Sequence, residues 1–185
     1  MGVYDVPAND LLSQLAHAFK EQNMVQSPPF APFVKTGQQA QRAPADPDWW
    51  YLRCASVLYR VFKDGPVGTE SLRTYYGGRK NRGTKPNRHR KAGGKIIRLA
   101  LQQLETAHLV QKGANGGRVI SPQGQKLLNQ ASRTAMEGLA TKVKKKRVFH
   151  KATKTESDVT AAIKRGKKED PDKYKDKKKK TSEET

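Results

Sequence analysis

The feature that most constrains this chain is a long stretch without acidic residues, from Ser71 to Leu104. Within it, the segment from Leu72 to Arg98 contains ten lysines and arginines. Because ten cations without a balancing acid repel one another, we expect the segment to face a polyanionic partner. Interleaved tyrosines offer faces for stacking, and interleaved glycines let backbone N–H groups approach an anion. The alternative is a solvated basic loop that binds nothing.

The charge excess is not confined to one end of the 185-residue chain, whose net charge is +20. Residues 1–135 carry a net charge of +12 and nearly all the large apolar side chains, whereas residues 136–185 carry +8. We therefore predict a folded binding domain over 1–135. We predict that the Lys-rich tail over 136–185 is disordered in isolation, because it is highly charged and poorly hydrophobic. The lysine run at 142–147 fits either a nuclear-import signal or a further polyanion contact.

Cysteine use and hydropathy favour a soluble intracellular protein. Cys54 is the only cysteine, so no internal disulfide can form and a reducing compartment is favoured. No apolar run is long enough to span a bilayer, and the N-terminus lacks the basic flank and apolar core of a signal peptide. We predict a cytoplasmic protein without a membrane partner, although the charge by itself leaves binding to a membrane surface open.

Periodicity and turn residues predict a mainly α fold. Asp5, the Asp46-Pro47-Asp48 sequence and Ser121-Pro122 are typical of helix N-termini. We expect a winged-helix-like helical bundle around a central amphipathic helix, 94–108, with a small β-hairpin, and with residues 77–91 as an exposed basic loop. The other predicted helices cover 7–22, 48–63, 69–76 and 122–131, and the hairpin strands cover 109–112 and 118–120.

Aromatic residues near the first long loop have more than one possible role. We expect Phe30 and Phe33 to pin a proline-rich segment onto the core, since prolines forbid a regular helix there. In the second predicted helix, Trp49 shares a face with Arg53 and Arg60. Either this face is exposed and contacts nucleic acid, or Trp49 packs under the Phe30 segment while both arginines stay solvated.

No arrangement of residues indicates catalysis, a metal or a cofactor. One cysteine cannot form a multi-cysteine zinc site, and the four histidines are scattered without ligand spacing. The Gly94-Lys95-Ile96 sequence resembles the end of a phosphate-binding loop, but Ile96 stands where serine or threonine must hold Mg²⁺. We therefore predict no enzyme, no catalytic or metal site, no cofactor and no small-molecule substrate.

Two classes of nucleic-acid binder remain. A winged-helix DNA-binding transcription regulator would place helix 94–108 in a major groove. That helix has few side chains of the kind that read bases, and the cations crowd the segment before it. A binder of folded RNA fits better, because folded RNA is recognised mainly through its backbone and unstacked loops. The Gly93-Gly94 helix start is either a phosphate contact or an ordinary glycine N-terminus.

Several long motifs add a family resemblance to these inferences. The segments Asp48 to Arg53, Asp64 to Gly68, Leu72 to Gly83 and Lys91 to Arg98 resemble the nineteen-e family of small-subunit ribosomal proteins from archaea and eukaryotes. The similarity covers about residues 3–131, and the motifs are closer to those of archaeal members. His108 departs from the pattern, which usually has glycine after the central helix, and the tail is longer and richer in lysine than expected.

The resemblance implies a structural, non-catalytic protein. It implies binding to small-subunit ribosomal RNA in the head of the particle, neighbouring ribosomal proteins as further partners, a monomer within the ribosome, and a part in subunit maturation and translation. The predicted RNA-binding residues are Trp49, Arg53, Arg60, Tyr76, Gly77, Gly78, Arg79, Lys80, Asn81, Arg82, Gly83, Lys85, Arg88, Arg90, Lys91, Lys95 and Arg98.

Overall fold

The computed structural model describes residues 2–114 and 116–139, and all predictions about the tail beyond them lie outside the described residues. Five α-helices and two separate two-stranded antiparallel sheets make up the regular structure of this part of the chain. Single turns of 3-10 helix occur at Val3–Asp5 and Ala31–Phe33. The elements are α1 (Ala8–Glu21), α2 (Trp49–Asp64), α3 (Thr69–Tyr75), β1 (Gly78–Arg82), β2 (Lys85–Arg90), α4 (Gly94–Thr106), β3 (Val110–Lys112), β4 (Arg118–Ile120) and α5 (122–139).

The core lies between α1, α2 and α4, as their apolar periodicity predicts. Helix α2 packs against α1 on one side and α4 on the other. Each helix contributes one buried stripe, so burial of these stripes is the main favourable term holding the helices together. Fully buried members include Leu11, Leu15 and Phe19 of α1, Trp50, Val57, Leu58 and Val61 of α2, and Ala100, Leu101 and Leu104 of α4.

The order α2, α3, α4 and then the β3–β4 hairpin confirms the mainly helical, winged-helix-like architecture. The strands pair from Val110 with Ile120 to Lys112 with Arg118. Val67, in the turn before α3, adds an isolated bridge to β4: the N–H groups of Val67 and Arg118 each donate to the other's carbonyl at 3.0 Å. This bridge ties the turn between α2 and α3 to the hairpin that follows α4.

Two predicted helix caps are wrong. The carboxylate of Asp5 accepts from the backbone N–H of Gly2 at 2.7 Å and closes the first 3-10 turn rather than capping α1. Asp46, predicted as the cap of α2, lies before the helix start. The N-cap residue is Asp48, whose carboxylate pairs with the ammonium of Lys20 at 2.8 Å instead of capping the helix. The cap at Ser121 is confirmed, since its Oγ accepts from the N–H of Gly124 at 3.1 Å.

Helix α5 continues to residue 139, past the predicted end near Ala131. Leu128, Ser132 and Ala135 are buried, so the apolar stripe extends by a further turn. The added turn is built from the small residues Ser132 and Ala135, which a search for large apolar side chains overlooks.

His108 adopts the conformation that glycine would adopt most easily. Its φ is +56°, and the N–H groups of His108 and Leu109 donate to the carbonyls of Glu105 and Leu104 at 3.0 Å. These two bonds form a Schellman motif that ends α4. The departure from glycine therefore leaves the turn into the hairpin intact.

Candidate nucleic-acid interface

The segment predicted as a basic loop is instead an antiparallel β-hairpin, β1–β2, which we call the basic ribbon (residues 78–90). Its register pairs Gly78 with Arg90, Arg79 with His89, Lys80 with Arg88, and Arg82 with Lys85. Gly83 turns the chain with a φ of +71°, as the first loop position of a type II′ turn requires. The amide oxygen of Asn81 accepts from the N–H of Gly83 at 2.9 Å and supports that turn.

The base of the basic ribbon is bound to the core by backbone contacts. The N–H of Ala92 donates to the carbonyl of Arg73 at 2.9 Å, and that of Gly93 donates to Thr36 at 2.9 Å. A Cβ on Gly77 would lie 2.5 Å from the carbonyl oxygen of Arg90, so this position accepts only glycine without a shift of the backbone. The two ends of the ribbon are therefore held in place although the ribbon itself is exposed.

Two side chains add contacts at this base. The side-chain amide of Gln39 donates to the carbonyl of Tyr76 at 3.1 Å. The carboxylate of Glu70 contacts Lys91 Nζ at 2.9 Å and also pairs with Arg73. Hydrogen bonds from Lys91 and then Arg73 lower the pKa of the Glu70 carboxyl. Sequence reasoning missed both Gln39 and Glu70, because neither lies in a recognisable pattern.

All charged residues of the basic ribbon are cationic. Directly opposed residues project from the same face of a sheet, so Lys80 and Arg88 share one face. Arg82 and Lys85 also oppose each other beyond the irregularity in register at Asn81. Among the described residues, none of the ribbon cations lies within 4.0 Å of a carboxylate. Those cations are Arg79, Lys80, Arg82, Lys85, Arg88 and Arg90.

The arginines on α2 make contacts within the protein and are not simply solvated. The guanidinium carbon of Arg53 lies 4.3 Å from the ring centroid of Tyr76, and that of Arg60 lies 3.9 Å from Tyr75. The Tyr76 hydroxyl lies 2.7 Å from Ser56 Oγ. Burial lowers the pKa of Arg53 and raises that of Tyr76. These cation–π contacts join α2 to the C-terminus of α3, just before the ribbon begins.

Trp49 is buried, with 7% of its surface exposed, which excludes the alternative in which it lies on an exposed face. Its indole N–H donates to the carbonyl of Ala31 at 3.3 Å, and its ring packs edge-on against Trp50. This confirms the alternative in which Trp49 packs under the segment around Phe30. Phe30 itself packs edge-on against Trp50, with a centroid distance of 6.4 Å.

The N-terminus of α4 is only partly available to a ligand. Lys95 and Arg98 are exposed, and Lys95 Nζ lies 4.5 Å from the ring centroid of Phe30. The N–H of Gly93 already donates to the carbonyl of Thr36, so that one group is not available to a phosphate. The structure thus unites the ribbon residues into one surface and leaves Lys95 and Arg98 at the start of the next helix.

Nothing in the described part of the chain suggests a catalytic or metal centre. No group of three or more histidine, cysteine, aspartate or glutamate residues that could hold a metal occurs there. Cys54 is fully buried, and burial raises the pKa of its thiol, which disfavours the reactive thiolate. None of the helices in residues 2–114 and 116–139 is long and apolar enough to cross a membrane.

Comparisons with known proteins all indicate one family of ribosomal proteins. Residues 2–138 match the family described as Ribosomal protein S19e. The small ribosomal subunit protein eS19 of Aeropyrum pernix is 48% identical over 137 residues, which is 73% of this chain and 90% of that protein. The eS19G protein of Ascaris suum is 40% identical over 129 residues, covering 69% and 87%, and eS19 of Haloarcula marismortui is 38% identical over 134 residues, covering 70% and 88%.

Proposed function

This chain belongs to the ribosomal protein S19e family, and from that premise we propose that it binds ribosomal RNA in the head of the small subunit through the basic ribbon. The family is one of small-subunit ribosomal proteins and is not enzymatic, which confirms the prediction that the chain is not an enzyme. Its partners are ribosomal RNA and ribosomal proteins of the small subunit.

The observation that carries the proposal is the opposition of cations across the ribbon. Lys80 faces Arg88 and Arg82 faces Lys85, and like charges directly opposed on a sheet are destabilising. A two-stranded ribbon is marginally stable even without such repulsion. Phosphate groups would neutralise these charges, so we expect the ribbon to be more stable when RNA is bound.

The number of cations on the ribbon also predicts how strongly RNA affinity depends on salt. If about six of them neutralise phosphates, affinity for an isolated duplex should fall roughly a thousandfold between about 50 and 200 mM salt. Such contacts report the shape and charge of the backbone rather than base sequence. This behaviour suits a protein that recognises folded RNA.

The burial and residue types of helix α4 disfavour the alternative function as a DNA-binding transcription regulator. Ile96, Ile97, Ala100, Leu101 and Leu104 are buried, so one broad face of the helix belongs to the core. Near its N-terminus, Lys95 and Arg98 are the charged side chains left to reach a major groove. Few base-reading groups remain for direct readout.

We further propose the finer points that family membership suggests. The protein supports maturation of the small subunit and translation. It is a monomer within the particle, and the particle is located in the cytoplasm. Trp49, Arg53 and Arg60 were predicted as RNA contacts together with the ribbon residues. Since these three side chains are engaged in internal contacts, we propose that they support the interface by packing α2 against α3 and the Ala31 segment.

The test is a charge reversal on the ribbon with a matched reversal elsewhere. Arg79→Glu with Arg82→Glu should weaken binding to protein-free small-subunit ribosomal RNA and flatten the dependence of affinity on salt. Lys126→Glu with Arg133→Glu changes the same charge on exposed positions of α5 and should have a clearly smaller effect. Circular dichroism must show unchanged helix content in both variants.

Three outcomes would contradict the proposal. The first is equal binding by the two double variants. The second is wild-type protein that stays in the soluble pool when small subunits are sedimented at moderate salt. The third is selection of one duplex DNA sequence over ribosomal RNA in a competition experiment, which would favour the regulator instead.

A further inference from the structure

Phe33 is the most exposed of the large hydrophobic side chains in the described part of the chain, with 86% of its surface accessible. The prediction that it pins the proline-rich segment onto the core is therefore wrong. Other residues of the same segment behave differently, since Ala31 is buried and Val34 is half-buried. The segment is anchored while this one ring points into solvent.

The backbone beneath the ring is well supported. The N–H of Ala31 donates to Pro28 at 2.9 Å, and that of Phe33 donates to Phe30 at 3.1 Å. The carbonyl of Ala31 accepts from the indole of the buried Trp49. Pro32 adds a fixed φ within the same turn. A ring held outward in this way loses little further conformational entropy when it binds a partner.

The segment that carries Phe33 has no acidic residue and leads to the base of the ribbon. No acidic residue occurs between Glu21 and Asp46, and Lys35 is exposed two positions after the ring. Thr36 accepts from the N–H of Gly93 at 2.9 Å, and Gly37 forms a bridge with Ala92, just past the ribbon. The ring is therefore joined by a few residues of backbone to the surface proposed to bind RNA.

We propose that Phe33 is a stacking platform for an unpaired base of the RNA that the basic ribbon holds. The inference rests on the proposed function, because a polyanion whose unpaired bases present flat apolar faces matches a single exposed ring on an acid-free segment next to the ribbon base. A protein partner would need a larger apolar patch to seat on this surface. Stacking on an aromatic ring tolerates any base, so Phe33 would add affinity without strict sequence preference.

The test compares three substitutions at one position, using protein-free small-subunit ribosomal RNA as the probe. Phe33→Trp keeps an aromatic face, Phe33→Leu keeps an apolar side chain without one, and Phe33→Ala removes both. We expect the tryptophan variant to bind like the wild type, and the other two to bind roughly five- to hundredfold more weakly. The slope of affinity against salt should stay unchanged, because no phosphate contact is lost.

The charge-reversed ribbon variant, Arg79→Glu with Arg82→Glu, is measured alongside. If it loses affinity while the alanine and leucine variants bind normally, the stacking proposal is wrong and the proposed function stands. If all of these variants bind like the wild type, both proposals are wrong. Normal binding by the leucine variant with loss by the alanine variant would indicate a simple apolar contact and would overturn stacking.

Cross-linking in assembled subunits decides which molecule faces the ring. Phe33→benzoylphenylalanine should form a photo-induced cross-link to an unpaired nucleotide of the ribosomal RNA. A cross-link to a ribosomal protein alone would overturn the assignment. Tyr4→benzoylphenylalanine is the control, because Tyr4 is also exposed but packs against Phe62 of α2 at a centroid distance of 5.7 Å.

Discussion

Lys80 and Arg88 oppose each other directly across the basic ribbon, with no carboxylate within ion-pair distance of either among the described residues. Their repulsion opposes strand pairing, while the anchors at Ala92 and Gly93 favour it. The free ribbon is therefore expected to open more readily than the helical core. A polyanion should close it, which couples ribbon order to binding.

Reversing the charge of one member of this pair should change the stability of the ribbon and its affinity for RNA in opposite directions. Arg88→Glu should protect the ribbon amides from hydrogen exchange about two- to fivefold better in the free protein, because Lys80 gains an opposite charge. The same variant should bind RNA more weakly, since one phosphate contact is lost. Arg88→Gln is the control and should give intermediate protection. Unchanged exchange in the glutamate variant would contradict the expected repulsion.

The close approach at Gly77 predicts a steric cost. Gly77→Ala would place a Cβ 2.5 Å from the carbonyl oxygen of Arg90 and 2.8 Å from the His89 ring. We expect about 1–3 kcal/mol of lost unfolding free energy, or a detached ribbon, because backbone must move. Urea denaturation together with hydrogen exchange of the ribbon measures both. Gly68→Ala is the control, with open space around its Cβ, and should cost less than about 1 kcal/mol.

Glu70 predicts a pH dependence in the acid range. Its folded-state pKa is lowered from 4.5, first by its hydrogen bond to Lys91 and then by Arg73. The stabilisation it provides is therefore fully present above the unfolded pKa near 4.5 and is lost as pH falls through the lower folded value. The difference in unfolding free energy between wild type and Glu70→Gln should shrink over that interval. A difference that stays constant below pH 4.5 would show that the carboxylate does not hold the ribbon base.

The positive φ of His108 predicts a stabilising substitution. An L-residue in this conformation is strained by about 1–2 kcal/mol, and glycine relieves the strain at some cost in unfolded-state entropy. His108→Gly should therefore raise the unfolding free energy by about 0.5–1 kcal/mol. His108→Val is the matched comparison and should destabilise the protein, because a β-branched side chain tolerates this region least. Loss of stability in the glycine variant would mean that the imidazole makes a contact that matters.

Local signals were enough to predict most of the helical fold. Helices α1, α2 and α4 have apolar residues at helical spacing, and the β3–β4 hairpin follows a glycine-rich turn. The acid-free stretch likewise predicted the basic surface, because the charge of a segment can be read directly from its sequence. The family resemblance, since confirmed, rests on the same local motifs.

The strands of the basic ribbon left no such signal. β1 and β2 are exposed nearly throughout and lack the alternation of apolar and polar residues that marks a half-buried strand. Their pairing depends on the turn at Gly83 and on anchors from distant parts of the chain, including Thr36 and Gln39. Sequence therefore predicted which residues carry the charge but not the sheet that arranges them.

Trp49 and Phe33 show what tertiary structure decided. Helical periodicity places Trp49 away from the stripe of Trp50 and Cys54, which leaves both exposure and packing under another segment open. In the structure the Ala31 segment covers that second face of α2. The same segment turns Phe33 outward, although its apolar side chain predicts burial. Amino-acid type and spacing determine which residues can pack together along one element. Which of them are covered depends on where a non-local segment lies, and only the folded chain fixes that position.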